Sequence, residues 1–156
     1  MVAGTGYSVM MQLILSIIIL VFFLLVLRFG LHFMEKWRRA QGTRADTGER
    51  TVRLSDGLSA MITSNKTMPG GPTAGSTLRT LSRIVLTEKR LLVATNQGRI
   101  MEMSQERPGE ARAIGPRRLA LLGLHPTGRA DIRIELVIQD EEMWSKEINS
   151  RFKPKD

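Results

Sequence analysis

The sequence holds two histidines, His32 and His125, far apart in the chain, and no cysteine. Thiolate metal sites and disulfides are therefore excluded. No His, Asp and Glu residues recur at metal-ligand spacing. Glu141-Glu142 is a carboxylate pair that could serve acid–base chemistry, but acids at the start of a helix account for it. His125 falls in a His-Pro-Thr-Gly turn, where a polar residue needs no function. A histidine at a membrane interface can ligate a pigment or metal, or simply anchor; for His32 the second is the plainer reading. There is no G-x-S-x-G elbow, phosphate-binding loop or kinase signature. Gly4 and Gly6 precede an apolar run instead of following a strand, so they make no nucleotide fingerprint. The expectation is a protein without catalytic residues, cofactor or small-molecule substrate.

Charge is the remaining lead. The formal net charge is +8, carried by 17 Arg and 6 Lys against 15 acids. Such a balance calls for an anionic surface or serves solubility and membrane orientation. Nucleic acid is disfavoured: a single Tyr and no basic–aromatic interleaving leave no stacking platform. The excess of Arg over Lys points to a GC-rich bacterial genome.

These residues hang on two elements of different character. From Met1 to Leu27 no side chain is charged, and Val9–Leu27 reads VMMQLILSIIILVFFLLVL. This run is apolar around its whole circumference and, with Phe29–Phe33, is long enough to span a bilayer as a helix over residues 9–33. It exceeds a signal-peptide core, has no basic region before it and no A-x-A site after it, so it reads as an anchor. Arg28, Lys36, Arg38, Arg39 and Arg44 all follow it. The positive-inside rule then puts residues 1–8 outside and the rest in the cytoplasm, in the inner membrane of a bacterium. Trp37 and Arg28 suit the headgroup region. With Lys36, Arg38, Arg39 and Arg44 they are the candidates for anionic-lipid contact, each cation contributing about 1 kcal/mol near such a surface. A glycan on the Asn65-Lys66-Thr67 sequon would contradict this topology. Gln12 and Ser16 share one helical face inside the span and are the candidates for contact with another transmembrane helix; Gln12 could instead reach the outer headgroups.

Beyond the span lie about 120 residues, one small domain. The helix is expected to run on to about Ala40, with residues 34–49 forming a basic juxtamembrane segment and linker. Strands are expected at Arg50–Leu54, Leu58–Thr63, Leu78–Thr87, Arg90–Thr95, Arg99–Met103, Arg118–Leu124 and Asp131–Ile138. Asn96-Gln97-Gly98 makes a hairpin loop, Lys66–Ser76 an irregular Pro-Gly loop, and Arg107–Glu110 a turn. Ile132, Ile134, Leu136 and Ile138 share one strand face. Asp140 is expected to cap a helix with Trp144, Ile148 and Phe152 on its buried stripe, stopped by Pro154, with residues 153–156 as a tail.

About seven short strands closed by one amphipathic helix resembles a bacterial pleckstrin-homology-like (PH-like or GRAM-like) domain over residues 50–152. Leu86-Thr87-Glu88-Lys89-Arg90-Leu91-Leu92-Val93 is similar to a strand pair of that family, and Glu142-Met143-Trp144…Ile148 to its closing helix. A small SH3-like or other β-barrel with a terminal helix would give similar punctuation. The fold class is α+β either way. The resemblance implies a non-catalytic module that binds lipids or proteins. Phosphoinositide sites in the family use basic residues near the first strands; Arg50, Arg53 and Lys66 lie there, but without a tight basic loop. Arg117-Arg118 could form a second basic patch. The expected function is an accessory or scaffold subunit of a larger membrane complex, photosynthetic or respiratory, with other membrane subunits as partners. In topology the chain is similar to the H subunit of photosynthetic reaction centres, with no motif in common. The alternative is a tethered module for anionic lipid headgroups.

Overall fold

The structure, a computed structural model, describes residues 5–44, 48–67 and 72–154, with side chains from residue 10. The chain divides into two units, Met1–Glu35 and Lys36–Asp156.

In the first unit, helix α1 (Thr5–Gly42) begins. Its stretch from Met10 is long and apolar enough to cross a membrane, and residues 10–38 are exposed. Leu, Ile, Val and Phe on every side leave no polar stripe, so this helix cannot be satisfied in water on any face. The Ser16 hydroxyl donates to the Gln12 carbonyl at 2.9 Å, a bond within the helix itself.

The second unit is a seven-stranded antiparallel sheet curled into a half-barrel: β1 (Thr51–Ser64), β2 (Thr77–Thr87), β3 (Arg90–Thr95), β4 (Gly98–Ser104), β5 (Glu110–Gly115), β6 (Arg118–Leu124) and β7 (Asp131–Val137). The strand order is β4-β3-β2-β1-β7-β6-β5. Helix α2 (Glu141–Phe152) follows, and its stripe of Trp144, Ile148 and Phe152 is buried. The stripe meets Ile62, Ile84, Leu91, Met101, Leu121 and Ile134 in one core. The fold is α+β, compatible with a PH-like architecture.

Four details depart from the sequence expectations. The segments 50–54 and 58–63 are one strand. Between them Gly57 (φ +70°) absorbs a bulge between Asp56 and Leu58 and the pairing with β2 resumes. Strand β5 has no counterpart in the sequence reading; Glu110 opens it, and the tight turn lies earlier, where the Arg107 N–H bonds the Ser104 carbonyl at 3.2 Å. Asp140 occupies the N-cap position of α2, but it is left-handed (φ 57°) and its side chain caps nothing. Helix α1 also runs past Ala40 to Gly42, although the linker expected there includes residues 45–47, outside the described residues. Of the Pro-Gly loop, residues 68–71 likewise lie outside them, as do 155–156 of the tail and 1–4 of the N-terminus.

Candidate functional site

The last part of α1 lies on the sheet, and of the residues singled out in the sequence Arg39 is packed there. Strands β2 and β3 send Ile84, Leu86, Leu91 and Val93 into the core. By alternation Val85, Leu92 and Ala94 face the other way, yet they too are buried. The last part of α1 lies on Ala94: a Cβ placed on Gly42 would stand 2.6 Å from the Cβ of Ala94 and 3.1 Å from the backbone nitrogen of Arg99. Gly42 lets the helix approach the β3–β4 hairpin to backbone distance.

Charged side chains fasten both sides of this contact. Arg39 is 3% exposed, and its Nε lies 3.3 Å from Asp56 Oδ1. The same carboxylate accepts the Gly57 N–H at 2.7 Å and has Arg83 Nη1 3.6 Å from its other oxygen. A carboxylate between two guanidiniums, with a backbone donor, is held as the charged acceptor of charge-assisted contacts. On the far side Arg99 Nε donates to the Gly42 carbonyl at 2.9 Å, while its Nη1 lies 2.9 Å from Glu102. A cation at an orphan carbonyl of a helix C-terminus is favoured by hydrogen bonding and by the macrodipole. Arg90 joins the network, 3.0 Å from Glu49 and 3.4 Å from Glu102. The Thr43 hydroxyl, buried, donates to the Arg39 carbonyl at 3.1 Å.

Of the lipid candidates, Arg28, Lys36, Trp37, Arg38 and Arg44 are exposed, whereas Arg39 is spent on Asp56. Arg53 is not free either. It lies 3.1 Å from Glu147 and 5.3 Å from the centroid of the Trp144 ring, tying the start of β1 to α2. Arg50 and Lys66 are exposed. Arg118 pairs with Glu135 at 2.9 Å, and Arg117 takes a left-handed turn conformation, φ 57°. The chain matches no protein-family model and no curated protein.

Strand β5 is an edge of the sheet, and α2 closes it at one point. Asn149 Oδ1 accepts the Ala111 N–H at 2.8 Å, while Asn149 Nδ2 and the Ser145 hydroxyl both donate to the Ala111 carbonyl. An amide side chain thus replaces a missing strand. At the β6–β7 turn, burial holds the His125 pKa below its ordinary value, and the Thr127 N–H donates to His125 Nδ1 at 3.3 Å. Among the described residues no group of three or more His, Asp or Glu side chains could hold a metal ion. The residues that sequence reasoning missed are Asp56, Arg83, Arg99 and Glu102. Their types are ordinary, and only the sheet register brings them beside α1.

Proposed function

We propose that this protein is a non-catalytic accessory subunit of a larger membrane complex. One helix anchors it in the inner membrane with the N-terminus outside, and a PH-like domain holds partners on the cytoplasmic side. The observation that carries this reading is the junction. The domain begins inside α1 at Lys36, and the helix end is built into the outer layer of the sheet by Arg39–Asp56, Gly42–Ala94 and Arg99–Gly42. A tether would need only a polar, open linker; here ion pairs and a close backbone approach seat the last turn of α1 on the sheet. The strand order and the closing helix support the PH-like reading. The basic residues after Leu27 support the orientation.

Purification of the tagged chain in mild detergent, followed by a native gel and identification of co-migrating chains, tests this. A large stoichiometric assembly supports a structural subunit. A chain that migrates without other proteins sinks it. The second reading, an anionic-lipid module, rests on exposed Lys36, Arg38 and Arg44. It requires salt-sensitive binding of the full chain's domain to anionic headgroups, and it falls if binding is independent of salt.

A further inference from the structure

Between Met10 and Leu27, among the described residues, one side-chain polar group has no partner. Thr5, Ser8, Gln12 and Ser16 are the only hydroxyl or amide residues between the start of α1 and Arg28 besides Tyr7, and Ser8, Gln12 and Ser16 fall at i, i+4 spacing. The Ser16 hydroxyl is satisfied by the Gln12 carbonyl. The Gln12 carboxamide has no partner among the described residues. In hydrocarbon such a group seeks another helix. On the same face Ile19 and Phe23 follow, and Gly30 lies about five turns on at the same azimuth, with open space where its side chain would be. Arg28 and His32 point to the opposite side.

We propose that the Gln12 face pairs with a second copy of this chain, in a parallel two-fold helix dimer. The carboxamide is the reason for choosing a copy. It carries both donors and an acceptor, so it is complementary to itself, and a parallel copy presents it at the same depth without any further requirement. Two amides related by a two-fold axis exchange hydrogen bonds across it, with Ser16, Ile19 and Phe23 continuing the contact and Gly30 admitting close approach. A different protein would have to offer a polar group at that depth, for which the span gives no cue. The inference rests on the reading of α1 as a membrane span and names the helix that its Gln12 face meets.

The chain has no cysteine, so single substitutions report this contact cleanly. Ile19→Cys and Phe23→Cys lie on the Gln12 face; Ile14→Cys and Val21→Cys lie opposite. Oxidation in native membranes is expected to cross-link the first pair at least about fivefold more than the second. In the Ile19→Cys background, Gln12→Leu should reduce cross-linking to the level of the opposite face, and Gln12→Asn should retain it. Equal cross-linking on both faces, none on either, or an unchanged signal with Gln12→Leu overturns the pairing. An alkaline carbonate wash of the same membranes keeps the two readings apart: release of the chain defeats the span itself, whereas a retained chain that does not cross-link defeats only the dimer.

Discussion

Gly42 and Ala94 meet so closely that no side chain fits between them. A Cβ on Gly42 would overlap the Ala94 Cβ at 2.6 Å, and neither atom has a rotamer through which to escape. In an ordinary helix, Gly→Ala is stabilising by about 1 kcal/mol. Here the sign should reverse. Gly42→Ala is expected to lower the thermal midpoint of the detergent-solubilised chain, and Ala94→Gly in the same chain should recover part of the loss. Additive effects in that double-mutant cycle would show that the helix end is not seated on β3.

Arg39 and Asp56 make the second test, because it separates structure from lipid binding. Asp56→Ala strands a buried guanidinium and frees the Gly57 N–H. The expected cost is about 2–3 kcal/mol, less than the 3–5 of a fully buried pair, since the Asp56 side chain stays 20% exposed. Arg39→Met should also destabilise, yet leave binding to anionic liposomes unchanged. Arg38→Gln, on an exposed position, should leave the melting point unchanged. Chemical denaturation and a liposome flotation assay on the same variants give both readouts.

How much of this was legible beforehand follows from where each signal resides. The β3–β4 hairpin was readable because RLLVAT and RIMEM are short apolar runs around a loop ending in Gly98. Helix α2 was readable because Trp144, Ile148 and Phe152 repeat at helical spacing. Strand β5 was not, because EARAIG has two alanines, two charges and a glycine, with Ile114 its one β-former. It exists through its pairing with β6 and the Asn149 clasp, both tertiary. The junction failed for a related reason. Arg39 stands in a run of basic residues, and nothing local distinguishes it from Arg38. Helix phase turns one toward Asp56 on β1 and leaves the other in the open.

The clasp itself is testable. Asn149 contributes a donor and an acceptor to Ala111, so its loss leaves both backbone groups at a sheet edge without that partner. Asn149→Leu is expected to cost about 1–3 kcal/mol. Asn149→Asp should behave almost as badly, because a carboxylate can accept from the N–H but faces the Ala111 carbonyl without a donor. Hydrogen exchange at the Ala111 amide should accelerate in the Leu variant well beyond exchange at β3. Uniform acceleration across the sheet would mean that the clasp is merely part of global stability.

His125 predicts the pH dependence. Burial disfavours its imidazolium. Its pKa in the folded chain therefore lies below the ordinary histidine value, and between the two the unfolded chain binds more protons. Stability from this group is fully present above the unfolded value, about 6.5, and falls as the pH drops through it toward the folded pKa. Melting points taken from pH 7.5 to 5 should decline more steeply for the native chain than for His125→Asn, which keeps a polar group in the turn without the titration. Parallel curves for the two would remove His125 from any account of acid sensitivity.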